Sequence, residues 1–304
     1  QKITRAEPAG IAPWKTLAYA FGRMASNQRS QPDRLLLKCG DTWTLSADVY
    51  PPKPSLLDAY GSGARPIVEF TAADVGLGWY GNSGGTPDDW GYAPVLSNLH
   101  VRHTVKNGSH TLISAFLRGS TFRDCTIENG AIVASLQTEG LVVEGCDVSY
   151  GRQLGVYSSG STVVLRRSTF TGSGSDNTYD HQIYLNNGAR WLLEECVFDG
   201  AATGLNNNAA KLNGGQGVVV RRCEARGSRN GFDAGRNLEE SGMPVADNYL
   251  FDECLSHDNG SGGQAAGLAV SWIGTVTVRN SVFYNHDPGS GGQGAIWLWN
   301  SNAV

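Results

Sequence analysis

A short repeated unit restricts the fold of this chain more than any other feature. Each unit ends in a small residue that follows an apolar run and two mostly charged residues. The unit ends are Cys125, Cys146, Ser168, Cys196, Cys223, Cys254 and Ser281. They are separated by 21, 22, 28, 27, 31 and 27 residues. A unit in the low twenties with longer insertions indicates a solenoid, in which each unit forms one coil.

Two apolar patterns in most units predict short strands. One pattern begins at the small residue, as in CTI, CDV and CVF, and the other precedes several of the unit ends, as in AIVAS, GVYSS, QIYLN and LAVSW. Such short strands bury little on their own. Parallel stacking of coils at roughly 4.8 Å pairs each strand with the next coil and encloses a shared interior. The expected fold class is therefore all-β.

This repeat resembles that of the right-handed parallel β-helix proteins of the pectate-lyase-like superfamily, over about residues 34–304. The resemblance implies a single-stranded right-handed parallel β-helix, with one domain over residues 1–304. Segments 33–43 and 59–70 are similar to the opening coils of secreted β-helix proteins that act on polysaccharides. The repeat is specific for the fold and much less specific for an activity.

The two ends of the solenoid differ in sequence. Within an N-terminal cap of residues 1–33, a short amphipathic helix is predicted by the helical spacing of Trp14, Leu17, Ala18, Phe21 and Met24. Residues 71–94 are rich in Gly and interrupt the repeat, so we expect an inserted loop. The C-terminal end stops on an apolar strand, which indicates a truncated chain or a second chain over this end. We favour a monomer over a trimer.

Five of the six cysteines occupy the same position in the repeat, and Ser168 and Ser281 occupy it in two other coils. We interpret this column as inward-facing small side chains with buried free thiols, because free Cys is among the most buried residue types. Cys125 and Cys146 would lie close enough for a disulfide, since a bridge spans ~4.4–6.8 Å between Cα atoms. That alternative stays open.

The two residues before the small residue alternate in charge from coil to coil. They are Arg166-Arg167, Glu194-Glu195, Arg221-Arg222, Asp252-Glu253 and Arg279-Asn280. Stacked coils would place opposite charges beside each other, and such pairs stabilise a sheet by ~0.2–1 kcal/mol each. This interpretation assigns the paired arginines to the scaffold rather than to a substrate.

Composition excludes some function classes. The net charge of −4 gives no global basic footprint for nucleic acid, and no apolar run is long enough for a membrane span. No signal peptide is recognisable, and the start at Gln1 is compatible with a processed secreted protein or with a trimmed chain. We expect a secreted or periplasmic protein.

Three insertions, at 172–181, 200–209 and 235–248, lengthen consecutive coils. The first two precede the same strand and would form the walls of a groove over its outer face. Counting back from the unit ends places Ile183, Ala210 and Phe232 inward. The same count places one outward column that comprises Tyr184, Lys211 and Asp233. His181 is expected to point to the same side.

The predicted groove has the groups needed for proton transfer on a sugar acid. The candidate catalytic residues are Lys211, His181, Tyr184 and Arg236. The candidate substrate-binding residues are Tyr179, Asp180, Asn186, Asn208, Asn213, Arg229, Asp233, Trp79 and Trp90. The tryptophans would stack on sugar rings from the 71–94 loop.

The favoured function is a polysaccharide lyase that cleaves an anionic, uronic-acid polysaccharide by β-elimination. Lys211 is the first candidate for the base that removes the C5 proton, provided that a neighbouring arginine favours its neutral amine, and His181 is the second. Tyr184 or Tyr179 would protonate the leaving oxygen. Arg229 or Arg236 would hold the substrate carboxylate in a forked contact.

Alternatives remain open at this point. A glycoside hydrolase needs two carboxyl groups ~5–9.5 Å apart, for which Asp180 with Asp233, or Asp176 with Asp180, are the candidates. A C5-epimerase would share the first proton transfer. A non-catalytic carbohydrate-binding or tailspike-like solenoid is the rival from another class. No cofactor is certain; the resemblance to lyases that use calcium leaves Ca²⁺ open, with Asp176, Asp180 and Asp233 as candidate ligands.

Overall fold

The structure is a computed structural model. It describes residues 14–26, 33–51, 55–79, 94–106, 111–115, 119–134, 140–159, 162–174, 181–200, 208–235, 246–260, 266–287 and 294–299. The helix α1 spans Leu17–Ser26. The strands are β1 (Asp33–Lys38), β2 (Thr42–Leu45), β3 (Ser55–Tyr60), β4 (Ile67–Phe70), β5 (Leu77–Trp79), β6 (Val95–Ser97), β7 (His100–His103), β8 (Ile113–Ala115), β9 (Thr121–Arg123), β10 (Thr126–Glu128), β11 (Ile132–Ala134), β12 (Leu141–Glu144), β13 (Asp147–Ser149), β14 (Leu154–Ser159), β15 (Val163–Arg166), β16 (Thr169–Thr171), β17 (His181–Asn186), β18 (Trp191–Glu194), β19 (Val197–Asp199), β20 (Asn208–Asn213), β21 (Gln216–Arg221), β22 (Glu224–Arg226), β23 (Asn230–Gly235), β24 (Asp247–Asp252), β25 (Leu255–His257), β26 (Ala266–Ser271), β27 (Val276–Arg279), β28 (Val282–Tyr284) and β29 (Ile296–Trp299).

These strands form three sheets, and every strand pairs in parallel with the equivalent strand of the next coil. Sheet 1 has the order β1-β3-β6-β9-β12-β15-β18-β21-β24-β27. Sheet 2 has the order β2-β4-β7-β10-β13-β16-β19-β22-β25-β28. Sheet 3 has the order β29-β26-β23-β20-β17-β14-β11-β8-β5. The predicted parallel β-helix is confirmed, and the strands AIVAS, GVYSS, QIYLN and LAVSW all lie in sheet 3.

A sharp corner joins sheet 1 to sheet 2, directly before each small residue of the repeat. The corner residue has a positive φ, for example 47° at Arg167, 54° at Glu195 and 51° at Arg222. Residues other than Gly rarely adopt this conformation. Its amide is nevertheless satisfied, because each of these three residues donates to a carbonyl of the next coil at 2.9–3.1 Å. Stacking therefore holds a corner that one coil alone would not favour.

The interior contains the predicted column of small residues. All five column cysteines are buried, and all six cysteines of the chain are free thiols. The structure thus confirms the buried thiols and shows no Cys125–Cys146 bridge. Beside this column Phe170 stacks on Phe198 with ring centroids 5.3 Å apart. Continuous packing from coil to coil is what makes the coils mutually dependent.

The charge alternation is also confirmed, and it extends two coils further than predicted. Cα partners across sheet 1 run through Arg123, Glu144, Arg166, Glu194, Arg221, Asp252 and Arg279. Glu194 contacts Arg166 at 3.1 Å and Arg221 at 2.6 Å. The paired arginines thus belong to the scaffold.

The ladder yields a stability prediction from two adjacent glutamates. Glu194→Ala is expected to lower the free energy of unfolding by about 2 kcal/mol, because its carboxylate joins several arginines by charge-assisted hydrogen bonds. Glu195→Ala is the matched control, since the Glu195 side chain is 44% exposed against 9% for Glu194. Its effect should stay within about 0.5 kcal/mol. Chemical denaturation checks both, and equal losses in the two variants would contradict the ladder's contribution.

The helix α1 packs on the core of the first coils, as the cap prediction requires. Its buried residues are Leu17, Ala20, Phe21 and Met24. The prediction was wrong for Trp14, which precedes the helix and is 44% exposed, and for Ala18, which is exposed. Ala20 faces the core instead, because Leu17, Ala20, Phe21 and Met24 follow the i, i+3, i+4, i+7 spacing of one helical face.

The predicted inserted loop at 71–94 needs a correction. Leu77–Trp79 within it forms β5, the first strand of sheet 3, and pairs with β8. Leu77 is buried, so this part of the segment is an ordinary strand. Residues 80–93 lie outside the described part of the chain.

Candidate functional site

The outer face of sheet 3 carries the predicted polar column. Cα partners place Tyr157 beside Tyr184, Tyr184 beside Lys211, and Lys211 beside Asp233. The alignment of Tyr184, Lys211 and Asp233 is therefore confirmed, including the step across the longer coil. Ile183, Ala210 and Phe232 form the adjacent inward column and are fully buried.

The His181 side chain contacts Tyr184, although strict alternation would place residues three apart on opposite faces of the strand. Gln182 lies between them and is left out of the Cα pairing with β14 and with β20. The Gln182 amide bonds to the Ser173 backbone in both directions, at 3.1 and 3.2 Å. The His181 and Tyr184 rings then meet edge to face with centroids 5.5 Å apart.

His181 is a buried neutral ring. Its Nδ1 accepts a hydrogen bond from the Asn208 backbone amide at 3.2 Å, which leaves the proton on Nε2. Burial, with a smaller contribution from the Lys211 charge, lowers the pKa of His181 to about 3. A ring with one nitrogen engaged and the other protonated is a hydrogen-bond donor. The proposed role of His181 as the second candidate base does not fit this arrangement.

The lowered pKa of His181 predicts a pH effect on stability. Between about pH 3 and 6.5 the unfolded chain binds a proton at this ring that the folded chain does not, so acidification destabilises the fold. His181→Gln should therefore lose less stability than the unchanged protein when the pH falls from about 7 to 5. In this range the histidine of the unfolded chain, with a pKa of about 6.5, takes up its proton. Thermal melts at the two pH values give the comparison.

His257 in sheet 2 provides a control of opposite sign. Burial lowers the pKa of His257, but hydrogen bonds with Asp258 and Glu224 outweigh burial and leave it raised. Its stabilising contribution is present below the unfolded pKa and is lost as pH rises through the folded one. His257→Gln should make acid destabilisation steeper. Identical pH responses in the two histidine variants would contradict both assignments.

Lys211 and Asp233 form an ion pair at the centre of the column. Lys211 Nζ lies 2.7 Å from Asp233 Oδ2, and Asn208 Nδ2 donates to the same oxygen at 2.7 Å. Asn230 Nδ2 in turn donates to Asn208 Oδ1 at 2.8 Å. Both side chains of the pair are partly exposed, at 22% for Lys211 and 15% for Asp233. Lys211 thus takes part in the site as the cation of an ion pair, and this geometry suits a carboxylate-binding role.

Tyr184 is held from three sides. The Tyr157 ring meets it at 5.4 Å in a tilted edge contact, and the His181 ring contacts it from the side. Asn213 Nδ2 donates to the Tyr184 hydroxyl at 3.4 Å and to Asn186 Oδ1 at 3.1 Å. Asn208 and Asn213 are buried, so they position their neighbours, whereas Tyr184 and Asn186 are partly exposed.

Arg229 precedes β23 and brings a second cation to the site. Burial lowers the pKa of its guanidinium, and the nearby Asp233 carboxylate opposes that shift. Among the described residues of the sheet 3 strands, Asp233 is the single carboxylate. Lys211 and Arg229 against Asp233 leave the site with a net positive charge. A surface of this kind favours an anionic ligand.

Several candidate residues lie outside the described part of the chain. They are Tyr179, Asp180, Asp176, Trp90 and Arg236. The backbone of Trp79 ends β5, and its side chain is likewise undescribed. The inserted segments 175–180, 201–207 and 236–245, which contain most of the predicted groove walls, also lie outside. Within the described residues, no group of three or more His, Cys, Asp or Glu side chains could hold a metal ion.

Sequence reasoning missed three participants of this site. Tyr157 occupies the same outward column one coil earlier, and counting back through GVYSS could have found it. Asn230 occupies the column of Asn208 and His181, which the same count would have placed beside them. The omission of Gln182 from the strand pairing had no signal in the alternation of apolar residues.

Comparison with known proteins agrees with this architecture. The family profile described as "Right handed beta helix region" matches residues 101–304. Among solved structures, the catalytic unit of a thermostable GH87 α-1,3-glucanase from Streptomyces thermodiastaticus strain HF3-3 is similar at 10% identity and a TM-score of 0.52, over 98% of this chain and 70% of that one. The A-module of the Azotobacter vinelandii mannuronan C-5 epimerase AlgE4 has 16% identity and a TM-score of 0.46, over 93% and 70%. No curated protein matches the chain.

The chain belongs to the right-handed β-helix family. At 10% identity, the similarity to the glucanase shows a shared fold and nothing more. That fold is one that a carbohydrate-active enzyme uses. The helix found among the described residues is too short to cross a membrane.

Proposed function

We propose that the protein is a polysaccharide lyase that cleaves a uronic-acid polysaccharide by β-elimination on the outer face of sheet 3. The observation that carries this proposal is the net positive cluster of Lys211, Arg229 and Asp233, with Tyr184 on the neighbouring coil beside Lys211. Elimination needs a cation at the uronate carboxylate, a base at C5 and an acid at the leaving oxygen. All three kinds of group lie within neighbouring coils.

Each group has one role in this scheme. Lys211 and Arg229 bind the substrate carboxylate, which makes the C5 proton more acidic. Asp233 removes that proton through Oδ1, since both of its short contacts end on Oδ2. The electrons of the C5–H bond form the C4–C5 double bond, and the C4–O bond breaks. Tyr184 protonates the leaving oxygen, and the Asp233 carboxyl proton returns to Tyr184 through solvent.

His181 and the buried asparagines position these groups. The His181 ring supports Tyr184, and Asn208 orients the Asp233 carboxylate through a 2.7 Å hydrogen bond. Asn213 fixes the Tyr184 hydroxyl at the edge of the site. Holding reactive groups on rigid strands lowers the cost of reaching the reactive geometry.

Elimination suits the described residues better than hydrolysis does. A glycosidase needs two carboxyl groups that flank the bond, whereas the described sheet 3 strands provide Asp233 alone. A C5-epimerase begins with the same proton removal and then returns a proton to the opposite face. Its product would differ, so the assay below distinguishes it from a lyase.

The test is a panel of alginate, pectate, glycosaminoglycans and neutral glycans. Ultraviolet absorbance of an unsaturated uronate product with an anionic glycan supports elimination. New reducing ends without this absorbance would indicate hydrolysis, and C5 inversion without cleavage, seen by proton NMR, would indicate an epimerase. Either of these results would overturn the lyase proposal.

The proposed substrate leads to proposals for the location and the oligomeric state of the protein. A polysaccharide outside the cell calls for a secreted or periplasmic enzyme, and we propose that location. We also propose that the active form is a monomer, because the cluster is assembled within one chain. A trimer in analytical ultracentrifugation would contradict that part of the proposal.

Chelation of divalent cations during the assay tests whether Ca²⁺ takes part.

A further inference from the structure

Three tryptophans gather at the last strands of sheet 3, beyond the charged cluster: Trp297 and Trp299 belong to β29, and Trp272 directly follows β26. The Trp272 and Trp299 ring centroids lie 6.2 Å apart, and those of Trp297 and Trp299 lie 5.9 Å apart. Trp299 is 51% exposed. Large aromatic side chains that remain in solvent together often mark a binding surface.

These tryptophans continue the columns of the candidate site. Asp233 pairs with Ala269, and Ala269 pairs with Trp297. In the neighbouring column Asn213 pairs with Gly235, followed by Ser271 and then Trp299. Two coil steps of roughly 4.8 Å each place the Trp297 Cα about 10 Å from that of Asp233.

The fold does not need these tryptophans for its interior. In β29 the register places Ile296 and Leu298 on the inward side, where they pair with the buried Leu268 and Val270 and are themselves 43% and 46% exposed. Trp297 and Trp299 occupy the alternate, outward positions. In the coil between them and Asp233, these two columns carry the small side chains of Ala269, which is 3% exposed, and Ser271. Only small side chains thus separate the charged cluster from the tryptophans along the sheet.

We propose that Trp297 and Trp299, supported by Trp272, form a remote sugar subsite for the polysaccharide that reacts at Asp233. An indole presents a broad apolar face on which the C–H face of a pyranose ring can stack. The polysaccharide then runs parallel to the solenoid axis, from the Tyr157–Tyr184 pair past Lys211 to the tryptophans. This inference rests on the proposed function for its substrate class, an anionic polysaccharide.

The test compares Trp297→Ala with the unchanged protein on long and short oligosaccharides of the identified substrate. KM for chains long enough to reach the subsite should rise about 3- to 10-fold. KM for the shortest cleaved oligosaccharide, and kcat for both, should stay unchanged, because the chemistry lies two coils away. Trp299→Phe should retain most of the affinity, since it keeps an aromatic face.

Trp14→Ala is the matched control, because Trp14 is an exposed tryptophan near the opposite end of the solenoid. It should leave both KM values unchanged. Equal KM changes for long and short chains in Trp297→Ala would overturn the subsite while leaving the lyase proposal intact. If Trp297→Ala does not fold, Trp297→Phe and Trp299→Phe replace it. The native protein then supplies a second measurement, the quenching of its tryptophan fluorescence by oligosaccharides. Equal quenching by long and by short oligosaccharides overturns the subsite.

The two proposals fail in different ways. Absence of unsaturated product across the panel refutes the lyase activity. The subsite would still be supported if an anionic glycan quenches the fluorescence of the inactive native protein and this quenching is lost in Trp297→Ala. A change of sedimentation coefficient in Trp297→Ala, with no change in glycan affinity, would show that the tryptophans form a protein interface instead, and it would overturn the subsite.

Discussion

Asp233→Asn is expected to lower kcat about 1000-fold on the uronic-acid substrate, with a small change in KM. The substitution removes the base that takes the C5 proton, and a positioned acid or base typically contributes ~10²–10⁴-fold. Asparagine is nearly isosteric, so it can still accept hydrogen bonds from Lys211 and Asn208 and the fold should persist. Initial rates from the ultraviolet assay, with a melting curve for each variant, provide the measurement.

Asp199→Asn serves as the control for this experiment. Asp199 is also ion-paired, with Arg226 at 2.8 Å, but it lies in sheet 2 away from the candidate site. It should retain normal turnover. An Asp233→Asn variant that folds and keeps more than about a tenth of the native kcat would exclude Asp233 as the base, since this loss is smaller than acid–base catalysis normally supplies.

Lys211→Met is expected to lower kcat/KM about 100-fold on the same substrate. The ammonium neutralises the substrate carboxylate, whose negative charge otherwise opposes removal of the C5 proton, and loss of one such electrostatic contact costs ~10²–10³-fold. Methionine keeps an unbranched apolar stem that can cover the same surface. The loss should shrink strongly on a substrate whose carboxyl groups are methyl esters, because the charge that Lys211 neutralises is then absent.

Lys38→Met is the corresponding control, since Lys38 is an exposed residue of β1 in sheet 1. It should not alter kcat/KM on either substrate. If Lys211→Met loses the same factor on the acid and on its ester, Lys211 does not bind the carboxylate. Near-normal turnover of Lys211→Met on the acid would remove Lys211 from the mechanism altogether.

The sequence predicted the solenoid and the outward column because both depend on register alone. Equal spacing from the repeated Cys or Ser fixes which residues stack, so Tyr184 beside Lys211 followed by counting. The charge ladder was accessible for the same reason, since alternation of sign is visible without coordinates. These features need only the period of a strand and the length of a coil.

The contacts within the site could not be predicted in this way. Lys211 could contact Asp233 or extend into solvent, and its side-chain rotamer decides between the two. The spacing of a sequence repeat carries no information about rotamers. The Gln182 amide bonds to Ser173 across a corner, and the His181 Nδ1 accepts from the Asn208 amide, and the period of a repeat predicts neither contact. Helix α1 shows the same limit, because Ala18 and Ala20 both lie beside the apolar stripe and the spacing alone does not decide which of them is buried.

The column of free thiols has a consequence for how the solenoid opens. Cys125, Cys146, Cys196, Cys223 and Cys254 each belong to a different coil, and none is accessible in the folded state. A thiol reagent can modify one of them only when that coil separates from its neighbours. The rate of modification at each cysteine therefore reports the local opening equilibrium of its own coil. The native chain thus contains a set of position-specific probes for whether the solenoid frays from its ends or opens as a unit.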